Sequence, residues 1–271
     1  MFFKGAIYNA TATTTNGFDL DAGVARIVSL RPYILMLDIG YILLVLFGKD
    51  KLSNLIKNKV LLRDISLVWN SFNALFSIFV VALLLPECIY ALFIRGWEYA
   101  VCSKGDFLTG RLSGFGMYIF TLSKAWELFD TILLMLRGRP VIFLHYYHHA
   151  LVLFQVFFTY PNTGSFARMA TMMNVIVHSI MYSYFALATV TESVRKYSKF
   201  VTISQLLQFI IGCYGILYAR GRLNRGEICE TDPNQLPFHM FIYASFLAIF
   251  AHFFYGTFKK SRASLGKRKK Q

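Results

Sequence analysis

The sequence predicts an all-α fold, a polytopic membrane protein whose seven transmembrane helices form one bundle around an interior tunnel open to the cytosol. Three observations carry this expectation. Of 271 residues, 56% are hydrophobic and only 15% charged, against about 25% charged in a soluble domain. Apolar stretches of about 20 residues, the length that crosses a bilayer, recur along the whole chain. The basic residues between them segregate to one side. So little charge excludes a soluble enzyme, a disordered chain and a disulfide-built secreted module. A net charge of +14 would suggest nucleic acid in a soluble chain. Here its placement reports topology, and no nucleic-acid partner is expected.

The predicted spans are 33–47, 66–93, 115–136, 141–160, 166–190, 200–219 and 237–258. The first is short unless it begins near Val24, which would place Arg31-Pro32 inside it. Arg137-Gly138-Arg139-Pro140 form a tight basic turn between the third and fourth spans. Asn162-Thr163-Gly164 break the chain between the fourth and fifth. No linker is long enough to separate two domains. Residues 1–271 therefore read as one membrane domain, with tails at 1–25 and 259–271.

Orientation follows from Lys and Arg in short loops, which favour the cytosol. Lys49, Lys51, Lys57, Lys59 and Arg63 follow span one; Arg137 and Arg139 follow span three; Arg195, Lys196 and Lys199 follow span five. The C-terminal tail adds seven more from Lys259 to Lys270. All four segments share a side in a seven-span chain, so the C-terminus is expected in the cytosol and the N-terminus in a lumen. Asn9-Ala10-Thr11, a glycosylation sequon, lies in that expected lumenal tail, and with no basic stretch leading into an apolar run at residues 1–25 no cleavable signal peptide is expected. The lysines third and fifth from the end, Lys269 and Lys267, resemble a cytosolic retrieval signal of the endoplasmic reticulum. The same cluster also reads as a patch for anionic lipid. Cys102 and Cys229 fall in lumenal loops, where an oxidising compartment favours a disulfide. Cys88, near a lumenal helix end, is the rival partner, and Cys213 sits inside a span.

Ionisable groups inside spans cost about 2.5–3.5 kcal/mol each at a helix centre. Span three holds Lys124, Glu127, Asp130 and Thr131; span four His145, His148 and His149; span five Asn174, His178 and Tyr182; span six Gln205 and Gln208. Each set falls on one helical face. At ~1.5 Å per residue, the four sets lie at overlapping depths of about 7–20 Å from the cytosolic ends. The geometry describes a polar chamber with an apolar remainder beyond it. Singly, most members have a plainer reading: Lys124–Glu127 as a structural ion pair, His178 as a packed core histidine, Gln208 as interhelical glue. Three histidines in five residues do not.

Imidazoles at i, i+3 and i+4 can share a metal, but a di-iron desaturase or hydroxylase draws on several such boxes. This chain has 6 histidines in all and one box, so no metal site is expected. A single ion on His145, His149 and Asp130 stays as an open alternative. Histidine is otherwise a proton carrier and a covalent catalyst. Asp130 can orient a histidine, and Thr131 and Tyr182 can donate to a developing oxyanion. A proton-coupled transporter also carries inward-facing ionisable groups. It normally shows repeated halves and helices broken near the midplane, and neither is legible here.

Lys124-Ala-Trp-Glu127-Leu-Phe-Asp130-Thr131, His145-Tyr-Tyr-His148-His149, Asn174 through His178-Ser-Ile-Met181-Tyr182-Ser183-Tyr184, and Thr202-Ile-Ser-Gln205-Leu-Leu-Gln208 resemble, in order and spacing, the four signature blocks of the ELO fatty-acid elongases. Phe185 departs from the second tyrosine common there. The resemblance implies a very-long-chain 3-oxoacyl-CoA synthase, an acyltransferase of the endoplasmic reticulum that condenses a long-chain acyl-CoA with malonyl-CoA to 3-oxoacyl-CoA, CoA and CO2, without a cofactor. His148 is then the expected nucleophile of a ping-pong reaction, with His145, His149, His178 and Asp130 as its catalytic companions; a direct ternary transfer, with the histidines only as acid and base, is the rival. Lys124, Glu127, Thr131, Asn174, Tyr182 and Gln205 line the substrate site, and Arg137 and Arg139 meet CoA phosphates at the cytosolic mouth. Implied partners are the bilayer, the two thioesters, the reductases and dehydratase of the elongation cycle, and a second copy in a homodimer. Pro140-Val-Ile-Phe-Leu144 and Met181-Tyr182-Ser183-Tyr184 are closer to elongases of saturated and monounsaturated chains than to those of polyunsaturated ones.

Overall fold

The computed structural model describes residues 17–48, 52–53 and 55–268. Asn9, Lys49, Lys51, Lys269 and Lys270 lie outside them. Helix α1 spans Leu20–Phe47 and opens on an Asp19 cap, whose side chain accepts from the Ala22 N–H at 2.9 Å. It begins upstream of the expected span because Arg31 finds partners. Its Nε and Nη2 donate to the Phe157 and Phe158 carbonyls at 3.2 and 2.7 Å, so a charge within the helix is satisfied and the apolar run extends through Pro32.

Helix α2 spans Lys59–Ile89, capped by Asn58, and runs into a wider turn at Tyr90–Ile94. The short α3, Trp97–Cys102, follows. Expected span three divides into α4, Arg111–Trp126, and α5, Phe129–Leu136. No Gly or Pro causes the break. Asp130 and Thr131 instead take i−3 carbonyls, of Glu127 and Leu128, each at 3.1 Å. Helix α5 ends where Gly138, at φ +63°, donates to the Met135 carbonyl and Arg139 to that of Leu134. This closure needs a left-handed residue, which glycine supplies at no steric cost. Helices α6 (Phe143–Thr159), α7 (Ala167–Val190), α8 (Ser198–Asn224) and α9 (Leu236–Arg268) complete the chain.

Five segments are long and apolar enough to cross a membrane: Leu20–Phe47, Lys59–Ile94, Ala167–Val190, Glu192–Asn224 and Leu236–Phe258. The broken α4–α5 pair and the 17-residue α6 fall short of that length. Packing closes a ring. Helix α2 lies along α7, α7 on α8, α8 on α9, α9 on α6, α6 on α4, and α4 back on α2, with α1 laid outside against α6 and α4. Outward faces are apolar, with Leu75, Phe79 and Leu217 exposed, the pattern of a surface solvated by lipid.

One end of the ring is stapled. Cys102 and Cys229 form a disulfide, while Cys88 and Cys213 are free. Beside it, fully buried Arg168 pairs with Glu87 at 2.8 Å and donates to the carbonyls of Ala100, Ser103 and Lys104. Nothing in the sequence reading anticipated this pair.

Candidate functional site

The break between α4 and α5 aims the polar residues of one stretch in different directions. Lys124 and Glu127, at the end of α4, are buried and paired at 2.7 Å. Ser123 Oγ donates to the same Glu127 oxygen at 2.8 Å, and Lys124 Nζ donates to Asn174 Oδ1 at 3.2 Å. The second Glu127 oxygen lies 3.7 Å from His178 Nδ1. The ion pair is thus structural, and it also holds the two α7 residues. Because lysine only donates, it turns the Asn174 carbonyl toward itself and frees the amide N–H groups. Glu127 likewise favours the proton on His178 Nδ1, leaving Nε2 as an acceptor.

Asp130, at the start of α5, accepts from Trp69 Nε1 at one oxygen and from the Tyr182 hydroxyl at the other, both at 2.6 Å. That second oxygen stands 4.0 Å from His149 Nε2. Thr131 Oγ1 bonds His145 Nε2 at 2.9 Å and the Tyr41 hydroxyl at 2.8 Å. Two of the three histidines on α6 therefore have a polar side chain from α5 at their backs. Among the described residues, no three His, Cys, Asp or Glu side chains are grouped so as to hold a metal ion.

His148 differs. Its ring packs on Phe246 of α9, centroids 4.8 Å apart, and it lines a cavity of about 870 Å³ of empty space, open mouth included. Asn174 lines the same cavity. From there the space runs between Met117, Phe120, Val152 and Phe209 toward Thr163, Gly164 and Thr231, at the disulfide end. The expected apolar remainder is only partly apolar. Gln155, Thr159, Gln235 and His239 also face it, because Gln155 and Thr159 continue the α6 face that starts at His148, seven and eleven residues on.

Not every expected residue joins. Gln205 donates to Met181 Sδ at 3.3 Å and is not among the cavity walls, whereas Gln208 is, with its buried Oε1 unpartnered. The two glutamines exchange the roles given to them, since the three-residue step between them turns them by about 60°. Arg137 donates to Ser66 Oγ at 3.3 Å, and Arg139 is exposed at the turn. Trp69 and Tyr41 were missed. Trp69 had a signal in the buried polar stripe Ser66, Asn73, Ser77 of α2. Tyr41 had none, as a lone tyrosine in an apolar span.

The sequence pattern of the ELO family, described as GNS1/SUR4, matches residues 28–265. The chain is 36% identical to Very long chain fatty acid elongase 6 of Drosophila melanogaster over 221 residues, 80% of this chain and 69% of that one. It is 32% identical to Long chain fatty acid elongase 2 of Caenorhabditis elegans over 253 residues, 92% and 91% of the two chains. Fatty acid elongase 1 of Trypanosoma brucei brucei shares 37% over 205 residues, 73% and 67%. A ring of apolar helices with a histidine-lined cavity, matched over most of its length, belongs to the ELO (GNS1/SUR4) family.

Proposed function

We propose that this protein is a fatty-acid elongase that condenses an acyl-CoA with malonyl-CoA, through an acyl-imidazole on His148. The observation that carries the reading is the position of His148: it is the histidine of the His145–His149 box that faces the cavity, beside Asn174, while His145 and His149 are backed by Thr131 and Asp130.

In the first half-reaction a ring nitrogen of His148 attacks the thioester carbonyl. The oxyanion meets the Asn174 amide, which Lys124 has turned outward. The carbon–sulfur bond breaks, and the proton lost from the His148 ring passes by His149 and Asp130, or by His145, to the CoA sulfur. In the second, malonyl-CoA loses CO2 and keeps the electron pair as an enolate. The enolate attacks the acyl carbon, the carbon–nitrogen bond breaks, and a solvent proton restores His148. His178 and Asn174 stabilise the charge. Tyr182 acts through Asp130, to which its hydroxyl is already committed. Together the steps consume the two thioesters and one solvent proton, so no cofactor is invoked.

The remaining expectations fit this reading. All seven segments cross an endoplasmic reticulum membrane, with the disulfide end lumenal and the 137–140 turn cytosolic. There Arg139 and the basic residues at 195–199 meet CoA phosphates, with the bilayer and the other cycle enzymes as neighbours. Purified protein supplied with primer acyl-CoA and labelled malonyl-CoA is expected to form 3-oxoacyl-CoA without NADPH or added metal, and His148→Ala none. Equal product from His148→Ala would overturn the assignment.

A further inference from the structure

The cavity has a polar collar partway along it. Gln155 Nε2 and His239 Nδ1 meet at 2.9 Å, from α6 and α9, and both line the cavity. His148 and Phe246 meet across the same two antiparallel helices. Gln155 is seven residues beyond His148 and His239 seven residues before Phe246. Seven residues are about two helical turns and ~10 Å, so the two contacts stack on one face, a collar above the reacting level. The wall between them holds Val152, Phe209 and Tyr243; beyond the collar it turns polar, with Thr159, Thr163, Thr231 and Gln235.

An extended alkyl chain advances roughly 1.25 Å per carbon, from bonds of ~1.5 Å. A tail attached at His148 therefore reaches the collar after about eight methylenes. Up to there each methylene leaves water for an apolar wall, worth about fourfold in affinity. Past it, the tail runs alongside the hydrogen-bonded pair and covers polar groups that lose their own solvation. We propose that Gln155 and His239 are specificity-determining residues for acyl length, placing a break in the enzyme's length preference at about ten carbons. The inference rests on the elongase reading above. It adds two residues outside the histidine box and the position of the break.

The test is kcat/KM for condensation over a series of saturated acyl-CoA primers of roughly eight to sixteen carbons, for the native protein, Gln155→Leu, His239→Leu and the double variant. The native protein is expected to gain about fourfold per methylene up to the collar and little or nothing per methylene after it. The leucine variants keep the bulk and remove the polarity, so they should raise the ratio of long to short primers by about tenfold. Because the readout is a ratio within one preparation, loss of folded protein cancels. A native series that rises without a break, or a break that persists in the variants, overturns the collar. No product from any primer in the native protein overturns the elongase reading instead.

Discussion

At the residue scale, the two anionic side chains of the site do different work. Glu127 neutralises Lys124 and orients His178, whereas Asp130 is held by Trp69 and Tyr182 behind His149. Asp130→Asn keeps the shape but replaces an acceptor with an amide opposite the Tyr182 hydroxyl. Turnover should fall by ~100-fold or more, the range of general acid–base contributions, with binding of primer little changed. Steady-state kcat and KM separate the two. Asn174→Ala should cost about 100- to 1000-fold in kcat if its amide meets the oxyanion. Tyr41→Phe loses one hydrogen bond to Thr131 and should cost only about 2- to 10-fold. A Tyr41→Phe loss as large as that of Asn174→Ala would give Tyr41 a direct part in the chemistry.

At the element scale, the break between α4 and α5 and the staple at the far end position the site. The sequence predicts an unbroken span at 115–136, with Lys124, Glu127 and Asp130 on one face; no Gly or Pro marks the interruption, which tertiary contacts to Trp69 and Tyr182 support. The Arg168–Glu87 pair was equally hidden, since Arg168 reads as an end-of-helix charge until the carbonyls of Ala100, Ser103 and Lys104 are brought to it. Removing one partner of a buried ion pair typically costs about 3–5 kcal/mol. Arg168→Met should therefore lower thermal stability strongly, and adding Glu87→Gln should recover part of the loss. Equal unfolding temperatures for Arg168→Met and the native protein would show the pair to be dispensable.

At the scale of the whole molecule, composition and basic-residue placement made the membrane class legible. The apolar runs located the long helices but not all their ends: α1 and α2 begin well before the expected spans, α8 and α9 run on past them, and the third span is two helices. The Arg31 contacts that extend α1 lay out of view. The histidine box and its companions were legible because charge in an apolar span is costly and must be explained. The cavity's polar far end was not: glutamine and threonine on a helix face look like ordinary interhelical hydrogen bonding until the facing helix is known. Single cysteines placed at 57, 137 or 195 in intact microsomes should react with an impermeant thiol reagent, and one at 104 should not. The reverse pattern would invert the topology.

The central claim is covalent. Native protein incubated with acyl-CoA alone, then digested and analysed by mass spectrometry, should release CoA in proportion to enzyme and carry one acyl group on the peptide containing His148. Adding malonyl-CoA should clear that adduct as 3-oxoacyl-CoA appears. CoA that stays bound as thioester until malonyl-CoA arrives, with no acylated histidine at any time, would contradict the account and leave the imidazoles as acid and base in a direct transfer.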